Sequence, residues 1–312
     1  MPASTEMTDS PAVLAMPSPS LPSFDYVRAR DPAEVSALLL EHGDRARLLM
    51  GGTDLFVQMR DGVLAPAIVI DVKALPGMSA ITFDPAAGLR VGAAVNMNAM
   101  AAHPAVMAHY PLLVQAVETV ASYQLRTRAT MGGNLCNASP AADTAPAALV
   151  LEAQCVVWGP DGERVIPVNE FFLGVRKTAL QPGEFLTHID IPLPPDGWAG
   201  RYLKLGRNAG GDLAIVGVAV IGYPDASTVS GYRFRLALAS VAPTPIRVPA
   251  AEALLAAQPI TDELLADAAL AAEEAAKPID DLRGSARYRK AMARNLAGRA
   301  LDDVWQQLQK ER

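Results

Sequence analysis

After Phe24 the chain alternates between short apolar runs and amphipathic stretches opened by capping residues. Tyr26 to Ala29 suits a strand. Asp31-Pro32-Ala33-Glu34 then offers an N-cap aspartate, a proline at the first helical position and a glutamate in the first turn, and Gly43 is placed to end the helix. Arg47 to Met50 is the next apolar run. Gly51-Gly52-Thr53-Asp54 leads into a helix from Leu55, and Ala67 to Asp71 reads as a third, buried strand, so the unit predicted is β-α-β-α-β. From Ile81 the predicted strands are Leu89 to Val95, Gln154 to Trp158, Arg164 to Pro167 and Phe185 to Ile191, around helices near Leu112 to Ala121 and Ala145 to Leu151. Asp161-Gly162 reads as a hairpin turn. Pro192, Pro194 and Pro195 can continue neither a ladder nor a helix, which places a domain boundary there. Strands at Arg201 to Leu205, Leu213 to Tyr223 and Tyr232 to Ser240 then precede Ala- and Glu-rich helices. The expected class is α+β, with a tail at 1–23, one domain at 24–195 and a smaller one at 196–312.

Composition narrows the function classes. At 312 residues, 51% hydrophobic and 19% charged, the chain can bury two cores, and collagen, coiled coil and general disorder are excluded. A net charge of −6 provides no basic field for a phosphate backbone, so nucleic acid is not an expected partner. Cys136 and Cys155 cannot complete a four-thiolate cluster, and His42, His103, His109 and His188 lack metal-ligand spacing, so no metal site is expected. Val91 to Val117 is uncharged but carries Asn96, Asn98, His103, Pro104, His109 and Pro111, which argues against an integral membrane segment. The proline- and serine-rich start reads as a flexible tail and not a secretory signal, which makes the cytoplasm the expected compartment.

The candidate chemistry lies in two glycine pairs. Gly51-Gly52 follows a predicted strand and precedes a helix, as Gly132-Gly133 roughly does. Such turns let backbone N–H groups approach an anion with a helix dipole behind them, or simply make tight turns. Neither pair belongs to a G-x-G-x-x-G fingerprint or a P-loop. Together, Leu48-Leu49-Met50-Gly51-Gly52-Thr53-Asp54-Leu55 and Arg128-Ala129-Thr130-Met131-Gly132-Gly133-Asn134 through Pro140-Ala141-Ala142-Asp143 resemble one family. It is the FAD-binding medium subunit of the molybdenum hydroxylases, which include xanthine dehydrogenase and aerobic carbon monoxide dehydrogenase. Later segments are similar too: Gly183 to Pro192, Lys204-Leu205-Gly206-Arg207 through Asp212 to Val216, and Val241 to Arg247.

The resemblance implies a p-cresol methylhydroxylase-type FAD-binding fold of two α+β subdomains, followed by an α+β C-terminal domain of the carbon monoxide dehydrogenase flavoprotein type. It implies a pyrophosphate clamp of Met50, Gly51, Gly52, Thr53, Asp54 and Leu55 with Thr130, Gly132, Gly133 and Asn134. Asp143 matches a cofactor-contacting position, with a helix N-cap as its plainer reading. Phe185 and Leu186 match positions bordering the isoalloxazine ring, Lys204 a lysine near the flavin, and Asp212 an acidic position close to it. Several relatives carry serine at the Asp54 position, and a carboxylate beside a diphosphate repels it. The expectation is therefore that the Asp54 backbone faces the phosphates while its side chain caps the next helix.

The function implied is that of an electron-transfer subunit, an oxidoreductase component with no catalytic side chain of its own. FAD in this chain would take electrons from two [2Fe–2S] clusters in a small partner and pass them to an external acceptor. A large partner would hold the molybdenum cofactor, the whole forming a heterotrimer or a dimer of heterotrimers. The alternative is a stand-alone flavin-dependent oxidase or reductase of the same fold superfamily.

Overall fold

The computed structural model describes residues 20–208 and 211–310. The expected flexible tail falls mostly on residues 1–19, outside the described residues. Leu21 and Phe24 are ordered parts of the fold and pack against Leu49, Met59 and Val69.

The first unit runs β1 (Asp25–Arg28), α1 (Pro32–His42), β2 (Ala46–Leu49), α2 (Leu55–Arg60) and β3 (Ile68–Asp71). Its three strands form a parallel sheet in the order β1-β3-β2. Helix α1 starts as the sequence indicates, with the Asp31 carboxylate accepting from the Glu34 N–H at 2.8 Å, and Gly43 ends it at φ +52.

The second unit begins with β4 (Ile81–Asp84) and β5 (Gly88–Gly92). Short helices follow: α3 (Met97–Ala101), α4 (Pro104–His109), α5 (Pro111–Glu118), α6 (Tyr123–Arg126), α7 (Met131–Cys136) and α8 (Thr144–Val150). It closes with β6 (Gln154–Gly159), β7 (Gly162–Pro167), α9 (Val168–Phe171), the hairpin β8 (Phe172–Gly174) and β9 (Lys177–Thr178), and β10 (Phe185–Ile191). The antiparallel sheet has the order β4-β5-β10-β6-β7. Pro160 and Asp161 make the β6–β7 turn, one residue earlier than Asp161-Gly162 predicts, and Gly162, at φ +95, opens β7 opposite Gly159.

Strand β5 ends three residues earlier than its apolar run suggests. Beyond Gly92 the chain leaves the ladder, and the Ala93 N–H donates to the Thr187 carbonyl at 2.9 Å while the Ala94 N–H donates to the Met78 carbonyl at 2.8 Å. Tyr110, fully buried, donates its hydroxyl to the Ile191 carbonyl at 3.0 Å and so ties the helices to the end of β10. Tyr110→Phe leaves that acceptor without its partner and is expected to lower stability by about 1 kcal/mol in urea unfolding.

The third unit is an antiparallel sheet of β11 (Ala199–Leu205), β12 (Val216–Pro224), β13 (Tyr232–Ala239) and β14 (Ile246–Arg247). Helices α10 (Pro249–Ala257), α11 (Asp262–Ala275) and α12 (Ala286–Lys310) follow. The sheet is covered on both faces. Val216, Val218 and Val220 of β12 enter the core formed with α10, α11 and α12, whereas Ala219, Ile221 and Tyr223 join the core of the preceding unit. Double coverage explains why the sequence here reads as a continuous apolar run and not as alternation. That run begins at Leu213, but Leu213 is exposed and the ladder starts only at Val216. The arrangement sets alternate residues of β11, Tyr202 and Lys204, against α5 and α8. Among the described residues no helix is long and apolar enough to cross a membrane.

Candidate functional site

The first glycine loop leaves β2 at Leu49, on the C-terminal edge of the parallel sheet, where open α/β sheets leave space for ligands. Gly52 holds φ +76, and a Cβ there would press on the Phe56 ring at 2.8 Å. A Cβ on Gly51 would overlap the Arg128 carbonyl, so this loop packs backbone to backbone against the residues entering the second loop. Met50 is buried, Thr53 is partly exposed, and Leu55 packs onto Leu49, Met59 and Val69.

The second loop follows an isolated bridge between Asn96 and Thr130. Thr130 caps α7, its hydroxyl accepting from the Gly133 N–H at 2.9 Å, and the same hydroxyl lies 4.0 Å from Met50 Sδ. The two loops, 80 residues apart in sequence, therefore meet at one buried threonine. A Cβ on Gly132 would press on Ala93, 2.6 Å from its carbonyl oxygen. On Gly133 it would meet only the Thr130 hydroxyl at 3.0 Å and otherwise open space. Asn134 Oδ1 accepts from the buried Thr144 hydroxyl at 2.6 Å, and its side-chain NH2 is not engaged among the described residues. Two glycines thus permit close backbone contact, while a third leaves one side of the loop clear, the cradle that an extended diphosphate needs.

Asp54 departs from the cap expected for it. Its backbone is already helical, φ −88 and ψ −40, and its side chain makes no cap hydrogen bond; the extended geometry that aims an N-cap carboxylate at the first N–H groups is lacking. Crowding by protein at this rim raises the carboxyl above its ordinary value, opposed by the positive charge of Arg176.

Asp143 and Thr144 link the second loop to the last sheet. Thr144 faces Asn134, and the neighbouring Asp143 carboxylate accepts from the Tyr202 hydroxyl at 2.8 Å and from Lys204 Nζ at 2.7 Å. Lys204 Nζ also donates to the Thr119 carbonyl at 2.8 Å. Asp143 makes no cap hydrogen bond, so the plainer reading as an N-cap does not hold. Both ion-pair partners are buried, with side-chain exposures of 6% for Asp143 and 10% for Lys204, so this lysine is not solvated. Burial raises the Asp143 carboxyl even though Lys204 and Tyr202 pull it down, and burial together with the Asp143 charge raises Tyr202 well above an ordinary phenol. Gly217 leaves room for the Tyr202 hydroxyl, which an added Cβ would approach at 2.8 Å.

Phe185 and Leu186 lie fully buried in the core on β10, which leaves the backbone as their route to any ligand. Asp212 sits in the β11–β12 connection with both oxygens held by Arg207, at 2.9 and 3.2 Å, which lowers its carboxyl. Burial pushes the Cys136 thiol up to about 12 and raises Cys155 as well, so neither is a ready nucleophile. Among the described residues no group of three or more His, Cys, Asp or Glu could hold a metal ion.

Sequence reasoning missed Tyr202, Thr119, Thr144 and Arg176. Tyr202 was reachable, since it lies two positions before Lys204 and so on the same face of a strand. The others depend on tertiary packing. A separate open groove of about 490 Å³ runs between β13 and α10, but Arg233, Arg235 and Arg247 in its lining are paired with Asp225, Glu152 and Glu252. The glycine loops remain the better candidate.

Residues 22–194 match the family described as the FAD binding domain in molybdopterin dehydrogenase. The chain belongs to this family of FAD-binding subunits. Residues 201–304 match the carbon monoxide dehydrogenase flavoprotein C-terminal domain. The carbon monoxide dehydrogenase medium chain of Hydrogenophaga pseudoflava is 35% identical over 284 residues, covering 91% of this chain and 98% of that one. Caffeine dehydrogenase subunit beta of a Pseudomonas species is 34% identical over 283 residues, covering 89% and 94%. Among solved structures, a chain of the Hydrogenophaga pseudoflava carbon monoxide dehydrogenase superposes with a TM-score of 0.88 at 36% identity, covering 92% of this chain and 99% of that chain. The resemblance drawn from the glycine motifs and the α+β class both hold. As a member of this family the chain is an oxidoreductase component whose cofactor is FAD.

Proposed function

We propose that this chain is the flavin link of a molybdenum hydroxylase, taking electrons from [2Fe–2S] clusters of a small partner subunit and delivering them to an external acceptor. A large partner holds the molybdenum cofactor, and the assembly is a heterotrimer or a dimer of heterotrimers. The observation that carries the reading is the meeting of the two glycine loops at Thr130 and Met50, with Gly133 open on one side. Support for the partners comes from relatives named as medium chains and subunits of dehydrogenases.

In this reading residues 24–195 form the FAD-binding domain and 196–312 the domain that completes the site, a division supported by the two matched ranges. Met50 to Leu55 and Thr130 to Asn134 line the diphosphate, with backbone N–H groups of the first loop and the Asn134 side-chain amide as donors, because the Gly133 and Asn134 N–H groups are already given to Thr130. Lys204, fixed by Asp143 and Thr119, places a buried positive charge where the last sheet meets α8. That charge is matched by Asp143, so Lys204 would meet a reduced ring nearby as one end of an ion pair and not as a free cation. Phe185 and Leu186 supply an apolar backing that restricts water, and Arg207 keeps the Asp212 carboxylate turned into its own loop. Bound FAD supplies the exchange between single-electron carriers and a two-electron acceptor. No side chain of this chain is required as a general base.

Purification of the native assembly tests the reading. We expect one FAD and one molybdenum per copy of this chain, with iron and acid-labile sulfide in equal amounts. An active flavoprotein without molybdenum or iron–sulfur partners would overturn it in favour of a stand-alone flavin enzyme.

A further inference from the structure

The first glycine loop ends on a carboxylate, and a diphosphate seated in it would meet that negative charge. The structure brings one cation to this point from a distant part of the sequence. Arg176, in the turn between β8 and β9, holds a left-handed backbone with φ +56. That region costs a residue with a Cβ roughly 1 kcal/mol or more, so the surrounding contacts must hold it there. Two such contacts are present. The Arg176 N–H donates to the Ala138 carbonyl at 3.0 Å, just beyond α7 and hence beyond the second glycine loop. Its guanidinium donates to Gln58 Oε1 at 3.1 Å on α2.

Gln58 lies one helical turn beyond Asp54, with its N–H donating to the Asp54 carbonyl at 3.0 Å. Residues four apart share a helix face, so the guanidinium held by Gln58 lies over the face that carries Asp54. The Asp54 carboxylate caps nothing and has no hydrogen-bond partner among the described residues, and Arg176 is exposed. The cation is therefore near the anion without being locked to it.

We propose that Arg176 is a positioning residue for the FAD diphosphate, its cation offsetting the Asp54 charge at the mouth of the first glycine loop. This inference rests on the assignment of the loops as the diphosphate site. It explains how an acidic residue is tolerated at a position where repulsion would otherwise weaken binding, and it gives the β8–β9 hairpin a role that no glycine motif announces.

The test is equilibrium FAD binding by the full chain, followed by flavin fluorescence, for the wild type, Arg176→Gln, Asp54→Asn and the double variant at low and high salt. Glutamine keeps a polar side chain and removes the charge. Arg176→Gln should weaken binding by about tenfold at low salt, a loss that shrinks toward nothing near 0.5 M salt, while Asp54→Asn should tighten binding and the double variant, with both charges gone, should bind about as the wild type does. The melting temperature of the flavin-free chain should fall by no more than a few degrees, because the bond to Gln58 is exposed and the Arg176 N–H bond to Ala138 remains. Wild-type affinity in Arg176→Gln, or a loss that high salt does not reduce and that removing the Asp54 charge does not compensate, would overturn the proposal while leaving the diphosphate site intact. A wild-type chain that binds no FAD would overturn the site assignment itself.

Discussion

Replacing Gly133 with valine should abolish FAD retention while leaving the fold in place. The added side chain would meet only the Thr130 hydroxyl, 3.0 Å from the new Cβ, before pointing into the open side of the second loop. Loosening that cap costs about 1 kcal/mol, a fall of a few degrees in melting temperature. The diphosphate, by contrast, must approach the backbone where the valine methyls would stand. We expect affinity to drop by more than about a hundredfold, near 3 kcal/mol, measured as flavin retained through gel filtration. Gly51 and Gly132 are poorer probes, because a Cβ at either runs into the backbone of Arg128 or Ala93 and disturbs the fold first. Flavin content in Gly133→Val equal to the wild type would remove the clamp assignment.

Lys204→Met should show the largest change in stability. Asp143 and Lys204 are both buried, and removing the lysine leaves a buried carboxylate with only Tyr202 for a partner, while the Thr119 carbonyl loses its donor. Breaking a buried pair from one side costs about 3–5 kcal/mol near neutral pH. The pH dependence has a definite sign. Asp143 has a raised carboxyl pKa in the folded state, so the fold binds that proton more tightly than the unfolded chain does. Its contribution is most favourable below the unfolded carboxylate range and is lost as pH rises through the folded value. Without Lys204 the folded value rises further, so Lys204→Met should be much weaker than wild type in urea at pH 8 and recover part of the difference at pH 5. Adding Asp143→Asn should restore stability at pH 8. Equal urea midpoints for Lys204→Met and wild type at pH 8 would show that the pair is not buried in solution.

What could be read in the sequence follows from which forces are local. Helix α1 was legible at both ends, because Asp31, Pro32 and Gly43 act within one turn of themselves. The hairpin turn before Gly162 was legible to within one residue for the same reason. The glycine pairs marked the candidate site, yet neither pair alone shows that Gly51 abuts Arg128 or that Thr130 touches Met50, since these contacts join residues about 80 positions apart. Asp54 was misjudged because its capping role depends on backbone angles that the residue type does not fix. Lys204 illustrates the opposite gap. On an isolated strand it would be solvated, and its burial depends on a sheet covered on both faces, one by α5 and α8 and the other by the C-terminal helices. The Arg176 hairpin carried no signal at all, since a turn with an arginine in the left-handed region has no sequence signature.

The role of flavin link is tested most directly by removing FAD reversibly from the native assembly. The flavin-free assembly, reduced anaerobically with dithionite, should still bleach its iron–sulfur absorption but should fail to pass electrons on to the physiological acceptor, and added FAD should restore the transfer. Delivery at the full rate without flavin would contradict the account.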